Sequence, residues 1–250
     1  MAERVPFDTW ARFYDTTLPE DRPDRPFFLE FCRNHEGPVL ELGCGTGDIY
    51  LDLLAENIDA YGIDISTEML DTLRRNASER GLEAKVTQAD ITDFSFDVTF
   101  GTIIGPLNIV RHVTSLADQR AVFRNVSDAL GVGGQFVFWI NLPDFDELCD
   151  QRDGSQTTQQ FDHDSRKYEL GIRIELTDTI DQTVTYEFEY TDIEIGEHVA
   201  SMEFEMALIP KQQFDLLLED TGFSEWTYYN GPELNPLTSV HEPVICIANW

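Results

Sequence analysis

The chain has 250 residues, of which 42% are hydrophobic, and 47 acidic against 17 basic residues give it a net charge of −30. This length and apolar content predict a single large α/β domain with an insertion, and an aromatic content of 12% argues against a disordered chain. So acidic a surface repels polynucleotide phosphates and anionic lipid. We therefore expect no nucleic-acid partner and no membrane association.

The few lysines indicate the setting in which the protein works. Only Lys85, Lys167 and Lys211 are present, and an acid-rich, lysine-poor composition is typical of halophilic proteins, in which molar salt screens self-repulsion. We expect low salt to destabilise the fold. The four cysteines lack metal-ligand spacing, which predicts reduced thiols and no bound metal. Without a signal sequence or a long apolar run, the expected location is cytoplasmic.

In chain order, residues 39–138 alternate apolar strands with helical segments, which predicts a parallel sheet covered on both faces. Ser66 is the expected N-cap of the second helix and Gly81 its stop. The predicted strands are 38–42, 59–64, 84–88, 97–103 and 134–140, and the predicted helices are 48–56, 67–80 and 117–130.

The apolar period changes after Pro143. Residues 168–176, 184–190 and 200–208 alternate between apolar and polar. This pattern predicts antiparallel strands with one solvent-exposed face, and Gly196 marks a turn between the last two. A helix at 211–221 and strands at 224–229 and 243–249 close the chain. We therefore predict a main domain of 1–145 and 210–250, interrupted by an antiparallel sheet at 146–209.

Three alternate glycines, Gly43, Gly45 and Gly47, follow the first strand, and Asp64 ends the next one. Glycines let the backbone turn sharply and approach a ligand, and the helix after them presents unpaired N–H groups. Asp64 follows Gly43 by 21 residues, where a second parallel strand offers a carboxylate to a ribose diol. This pattern predicts an adenosine-containing ligand.

The glycine spacing narrows the choice of ligand. A dinucleotide fingerprint needs its third glycine at position 48, which is Asp48, and a Walker loop needs Gly-Lys-Ser/Thr, whereas Gly47 precedes Asp48 and Ile49. Both classes are disfavoured. A nicotinamide oxidoreductase remains a rival that predicts tighter binding of NAD than of other adenosine ligands.

The segments ELGCGTG at 41–47, YGIDIS at 61–66 and QAD at 88–90 resemble the first three motifs of class I S-adenosylmethionine-dependent methyltransferases. The similarity covers roughly residues 10–142 and 211–250. It implies a Rossmann-like, seven-stranded sheet with helices on both faces, plus an inserted antiparallel sheet between the fifth strand and the last helix. In small-molecule members such an insertion covers the active-site mouth, and a dimer interface is the alternative role.

Carried over residue by residue, the resemblance implies that the three glycines line the methionine portion of S-adenosylmethionine and that Asp64 binds the ribose hydroxyls. Glu41 lies inside an apolar strand, where a carboxylate needs a partner, so it bonds the glycine loop or the ligand ammonium. The further expected cofactor-binding residues are Tyr14, Cys44, Ile65, Met69, Asp90, Ile91 and Ile104.

The methyl group of this cofactor is already activated, so the protein mainly has to align the reactants, and a dedicated base is optional. The catalytic residue is not determined by the sequence, and the candidates are Tyr14, Asn108 and His112. Arg111 could attract an acidic group of the acceptor, and His163, in a Gln-rich connection, is a weaker catalytic candidate.

The sequence thus predicts methyl transfer to N, O or C of a small-molecule acceptor by direct displacement, in a monomer or homodimer. The fourth-strand region lacks an Asn-Pro-Pro-Tyr signature, which disfavours methylation of bases in DNA. Two alternatives stay open. One is a non-catalytic S-adenosylmethionine-binding or sensor protein, and the other is a protein or tRNA methyltransferase, of which the tRNA enzyme is disfavoured by the charge.

Overall fold

The computed structural model describes residues 6–19, 22–144, 146, 148–149 and 154–250. Its first half contains the helices α1 (Pro6–Trp10), α2 (Tyr14–Thr17), α3 (Asp24–Arg33), α4 (Tyr50–Ala55), α5 (Thr67–Glu79) and α6 (Leu116–Ala129), a 3₁₀ helix (Ile109–His112), and the strands β1 (Val39–Leu42), β2 (Ala60–Asp64), β3 (Val86–Gln88), β4 (Phe100–Gly105) and β5 (Leu130–Ile140). The second half contains β6 (Ser155–His163), β7 (Arg166–Asp178), β8 (Thr183–Asp192), β9 (Glu197–Ala207), α7 (Lys211–Asp220), β10 (Glu225–Asn230), β11 (Asn235–Pro236) and β12 (Val244–Asn249).

The main sheet has the order β11-β10-β12-β5-β4-β1-β2-β3 in the described residues. Strands β1 to β5 pair in parallel, and β12 and β10 add antiparallel beyond β5. This confirms the predicted Rossmann-like sheet. It has eight strands rather than seven, because the two-residue β11 pairs with Tyr229 and Asn230 at the edge. Such a short pairing leaves no recognisable pattern in the sequence.

Local signals set the helix limits as expected. The hydroxyl of Ser66 accepts a hydrogen bond from the amide of Met69 at 3.2 Å and so caps α5. Gly81 follows the helix with a φ of +69°, a left-handed conformation that glycine adopts readily. Ser115 caps α6 in the same way through the amide of Asp118 at 3.1 Å.

Both faces of the main sheet are buried. Leu40 and Leu42 pack with Phe123 and Phe214 of α6 and α7, whereas Val39 packs with Phe28 of α3 on the other face. Because side chains alternate along a strand, Glu41 points to the same face as Val39. A carboxylate is thereby held within an otherwise apolar layer. No helix in the described part of the chain is long and apolar enough to cross a membrane.

The second sheet is antiparallel, with the order β6-β7-β8-β9, and it lies in the sequence between β5 and α7, as predicted. Its apolar face packs on the N-terminal helices: Phe13, fully buried, stacks on Tyr190 with ring centroids 4.6 Å apart. Trp10 contacts Phe188 edge-on at 5.4 Å. We call α1, α2 and β6–β9 together the aromatic cover.

Three sequence expectations need comment. The Gln-rich connection is in fact β6, and His163 at its end packs against Phe13 with ring centroids 5.1 Å apart. Because most side chains of this edge strand are exposed to solvent, β6 lacks the alternation of apolar and polar residues from which strands are predicted. The turn at Gly196 is confirmed, with a register shift after Tyr190. The predicted domain boundary at 145 and 146 stays a prediction, since residues 145 and 147 lie outside the described residues.

Candidate functional site

The glycine loop lies where the strand order of the main sheet reverses. Strand β1 pairs with β2 on one side and β4 on the other, which is the switch point where ligands bind in open α/β sheets. Gly43, Gly45 and Gly47 all have positive φ. A Cβ on Gly43 would lie 2.4 Å from Cδ1 of Ile109, so glycine is required there for both conformation and space.

Asp64, at the carboxyl end of β2, is held by backbone groups. Its Oδ2 accepts a hydrogen bond from the amide of Gly45 at 2.9 Å, and its Oδ1 accepts one from the amide of Ser66 at 2.8 Å. Burial raises the pKa of this carboxyl, and the two amides oppose that shift. Each carboxylate oxygen retains a second acceptor site, so Asp64 can bind two further hydroxyl donors.

A cavity of about 420 Å³ opens beside this loop, within the size range of small-molecule sites. It runs from the ends of β1 and β2 to the helices of the aromatic cover. Its wall includes Phe7, Trp10, Tyr14, Arg22, Glu41, Gly43, Cys44, Gly45, Asp48, Ile49, Asp64, Ile65, Met69, Ala89, Asp90, Ile91, Thr92, Pro106, Leu107, Ile109, His112, Val113, Thr114 and Asp118.

Two buried polar atoms at the glycine-loop end lack partners among the described residues. They are Oε2 of Glu41 and Nη1 of Arg22. The other groups of the Arg22 guanidinium pair with Asp48 and, at 3.6 Å, with Asp24. Burial raises the pKa of Glu41 well above its usual value, since no hydrogen bond offsets the loss of water at Oε2. One end of the cavity thus offers an unmet acceptor and an unmet donor.

The other end of the cavity is aromatic. His112 contacts Phe7 edge-on at 5.3 Å and Phe204 at 5.2 Å between ring centroids, and its Nδ1 is a buried atom without a partner in the described chain. Burial lowers the pKa of His112 to about 4, with Arg111 adding to the shift. The imidazole is therefore neutral at pH 7 and can accept a hydrogen bond from a ligand.

Comparisons with known proteins agree on one family. Residues 39–134 match a methyltransferase domain family. An uncharacterized methyltransferase of Bacillus cytotoxicus is 33% identical over 141 residues, which is 53% of this chain and 64% of that protein. The methyltransferase CcbJ of Streptomyces caelestis superimposes with a TM-score of 0.81 at 20% identity, covering 99% of this chain and 98% of that one. These comparisons support the resemblance to class I S-adenosylmethionine-dependent methyltransferases.

A further solved structure is CalS10 of Micromonospora echinaspora, an amino pentose methyltransferase with S-adenosylmethionine bound. It has a TM-score of 0.71 at 18% identity and covers 100% of this chain and 99% of that one. At such identities the likeness of the structures shows a common fold. The chain spans less than two thirds of the length of the Bacillus cytotoxicus methyltransferase.

Most of the predicted site residues lie together on the cavity wall. Tyr14 and His112 line its covered side, and the remaining wall residues from the prediction are Glu41, Gly43, Cys44, Gly45, Asp64, Ile65, Met69, Asp90 and Ile91. Whether each of them binds the cofactor stays a prediction.

Four other predicted residues lie elsewhere. Ile104 is fully buried in the core, and Gly47 lies behind the loop, where a Cβ would meet Leu51 at 2.8 Å. Oδ1 of Asn108 accepts a hydrogen bond from the amide of residue 141 at 2.6 Å and so braces the exit from β5. The Arg111 side chain is buried, and its Nε donates a hydrogen bond to the carbonyl of residue 207 at 2.9 Å. Arg111 therefore connects the 3₁₀ helix to the end of β9, and it does not line the cavity where it was expected to attract an acidic acceptor.

Sequence reasoning missed Arg22, Phe7 and Trp10, which all line the cavity. They precede the first strand, where no glycine motif or strand pattern marks a position as close to the ligand. The available signal was the aromatic spacing, because Phe7, Trp10 and Tyr14 fit one face of a helical turn.

Proposed function

We propose that this protein transfers a methyl group from S-adenosylmethionine to a small-molecule acceptor. The observation that carries the proposal is a single cavity that joins the glycine loop to an aromatic wall containing a neutral imidazole. A cofactor at the loop and an acceptor at the aromatic end would then share one enclosed space. Bound S-adenosylmethionine supplies an activated methyl group, so the protein has to hold the reactants and exclude water.

The unmet polar atoms fit the cofactor's amino-acid group. An α-amino group would donate to Oε2 of Glu41, and a carboxylate would accept from Nη1 of Arg22, so both buried orphan atoms would be satisfied. This match requires donor and acceptor together, as an amino acid provides. Adding the ammonium would also lower the pKa of Glu41 and stabilise its carboxylate.

The ribose and adenine would lie along the ends of β2 and β3. Asp64 is fixed by two backbone amides and retains acceptor sites for a diol. Ile65, Met69 and Ile91 provide an apolar surface for a flat ring. Oδ1 of Asp90 accepts a hydrogen bond from the amide of Thr92 at 2.8 Å. Asp90 therefore holds the turn after β3 through one carboxylate oxygen, and the residue also lines the cavity.

The acceptor is expected to be a small molecule. Phe7 and Trp10 of α1 lie over the cavity, and the second sheet packs behind them, so the space is roofed. The net charge of −30 disfavours tRNA. The amino pentose methyltransferase with the same fold offers one precedent for a small acceptor.

His112 is the proposed group facing the acceptor. Its Nδ1 is buried without a partner in the described chain and the ring is neutral at pH 7, so in the tautomer protonated at Nε2 it can accept a hydrogen bond from an N–H or O–H of the acceptor. Such a bond would orient the acceptor's lone pair toward the methyl group. Tyr14 lines the same wall, and burial raises the pKa of its phenol, so it would act only as a neutral donor.

Calorimetry with S-adenosylmethionine, S-adenosylhomocysteine and NAD tests the first step. We expect binding of the two sulfur compounds and none of NAD, whereas preferred binding of NAD would contradict the proposal. The second step is incubation with fractionated metabolites while S-adenosylhomocysteine formation is followed. Binding without turnover in any fraction would favour the non-catalytic sensor alternative.

A further inference from the structure

The covered end of the cavity is unusually rich in aromatic rings. Phe7, Trp10, Tyr14 and His112 all line it, drawn from α1, α2 and the 3₁₀ helix. Trp10 meets Tyr14 edge-on at 4.7 Å between ring centroids, and Phe7 meets His112 edge-on at 5.3 Å. These four rings border one common space. Such an arrangement attracts cations, because the face of an aromatic ring is electrically negative.

The charged residues on the same wall are mostly acidic. The wall includes Glu41, Asp48, Asp64, Asp90 and Asp118 and, among the described residues, one basic residue with a fixed charge, Arg22. Arg22 is already paired with Asp48 and lies close to Asp24. Even with Glu41 protonated, the carboxylates exceed the guanidinium by three. The wall therefore stays negative after it has received a cofactor of net charge +1.

Among the described residues that line the cavity, none on the covered side carries a positive charge that would receive an anion. Arg111, which follows the fourth strand, donates to the carbonyl of residue 207. His112 is neutral because burial lowers its pKa to about 4, so it neither repels a cation nor attracts an anion. An acceptor bearing a carboxylate or phosphate would lose its water without gaining a charge partner, which is costly in a buried site.

We propose that the methyl acceptor is an amine that enters the site as its ammonium ion, held against the rings of Phe7, Trp10 and Tyr14 with His112 accepting one N–H hydrogen bond. This inference rests on the proposed function and names the substrate class of that site. His112 acts here as a positioning residue through Nδ1. The ammonium gives its proton to a water molecule before transfer, since only the free amine has a lone pair to react. As that lone pair forms the new N–C bond the methyl C–S bond breaks, so the products are S-adenosylhomocysteine and an N-methylammonium ion.

A charge series of one skeleton tests the proposal. Benzylammonium, benzyl alcohol and benzoate are titrated into the complex with S-adenosylhomocysteine at pH 7.5 and constant ionic strength, with calorimetric readout. Benzylammonium should bind roughly 2- to 30-fold more tightly than the alcohol, which is the range expected from cation–π attraction, and benzoate should bind most weakly. Equal binding of the three, or tighter binding of benzoate, would overturn the proposal.

Paired variants separate ring electrons from apolar bulk. Trp10→Phe keeps an aromatic ring and should keep most of the preference for benzylammonium. Trp10→Leu should bring the ratio of the affinities for benzylammonium and benzyl alcohol toward one. Phe31→Leu, a half-buried ring of α3 outside the cavity, is the matched control and should leave the preference unchanged. Equal preference in the Phe and Leu variants would contradict the role of Trp10.

The affinity for S-adenosylhomocysteine distinguishes the two levels of failure. If that ligand binds and the three benzyl compounds show no preference for the cation, the amine inference fails and the transferase proposal stands. If S-adenosylhomocysteine itself does not bind to the folded protein, both proposals fail.

Discussion

The two ends of the cavity are built by different interactions. At the glycine loop, side chains are fixed by backbone groups. Asp64, for example, accepts hydrogen bonds from the amides of residues 45 and 66. In the aromatic cover, rings pack on rings, as where Phe13 stacks on Tyr190 and Trp10 contacts Phe188. Hydrogen bonds demand specific geometry, whereas apolar contacts are largely non-directional.

This difference indicates which end of the cavity tolerates substitutions. A backbone-fixed carboxylate serves one ligand geometry, so the loop end suits a constant cofactor. Aromatic packing tolerates replacement by other apolar groups of similar volume, so the covered end can be altered to suit different acceptors. We therefore expect acceptor identity to depend on α1 and on the sheet behind it.

Few polar contacts join the two ends. Ser66, the cap of α5, donates through its hydroxyl to Asp8 of α1 at 2.6 Å, and Thr46 of the glycine loop donates to Asp15 of α2 at 2.5 Å. Both contacts connect the cover with residues adjacent to the cofactor end. They are the places where the state of one end can influence the other.

The largest expected effect separates the two cores. Phe13→Ala removes a fully buried ring from the cover, and Phe28→Ala removes one from the layer between α3 and the main sheet. Each substitution should lower the free energy of unfolding of its region by about 3–5 kcal/mol. Hydrogen exchange should show Phe13→Ala deprotecting β7 and β8 while β1 and β4 stay protected.

Phe28→Ala is the control for that experiment. It should deprotect the main sheet and weaken binding of S-adenosylhomocysteine. If Phe13→Ala deprotected both sheets equally, the molecule would unfold as one cooperative unit, and the contrast drawn between the two ends would not extend to their stability.

The next effect concerns cofactor affinity at the loop end. Asp64→Ala should weaken binding of S-adenosylhomocysteine by about 3 kcal/mol, because two hydrogen bonds to a charged group contribute roughly 1.5 kcal/mol or more each. Calorimetry measures this, with Asp71→Ala on the exposed face of α5 as the control. Unchanged affinity in a folded Asp64→Ala protein would contradict the proposed ribose contact.

Much of the loop end was predictable from sequence, since its function is set by local backbone chemistry. Gly43, Gly45 and Asp64 are marked by their spacing from the strand ends, and parallel strands place their carboxyl ends at one edge. The serine cap and the glycine stop of α5 were predictable for the same reason. Ile104 lies within β4 and is fully buried, whereas the cavity is lined by Pro106 and Leu107, beyond the end of that strand.

The covered end was less predictable because it depends on long-range packing. Nothing near Arg22 in the sequence reveals that it reaches the glycine loop, and Trp10 meets Phe188 across 178 residues of chain. The apolar alternation of β7 to β9 predicted a sheet with one buried face. It could not predict that the N-terminal helices would occupy that face, since alternation specifies burial and not the partner.

A smaller effect is the pH dependence that His112 gives the cover. Its pKa is about 4 in the folded protein against 6.5 for an ordinary histidine, so the unfolded chain binds the proton first as the pH falls. Its contribution is complete above about pH 6.5 and is lost as the pH approaches 4. Between pH 8 and 5 the loss should be about 2 kcal/mol.

Chemical denaturation of the wild type and His112→Gln across that range measures this term. The variant keeps a polar side chain of similar size without a titrating proton, so its stability should fall less steeply as the pH drops. His241→Gln, an exposed histidine outside the cavity, is the control. Parallel profiles for the wild type and His112→Gln would contradict a buried neutral His112.

The smallest expected effect tests the joint between the two ends. Ser66→Ala removes a helix cap and the bond to Asp8, whereas Asp8→Ala removes that bond and leaves the cap in place, so Ser66→Ala should destabilise more. In a double-mutant cycle the coupling between the two should be about 1 kcal/mol, the usual net value of a hydrogen bond. If S-adenosylhomocysteine strengthens this coupling, then occupancy of the loop end holds α1 over the acceptor. A coupling of zero with and without ligand would mean that α1 is held in place by aromatic packing alone. The stability of the cover would then not depend on whether the cofactor end is occupied.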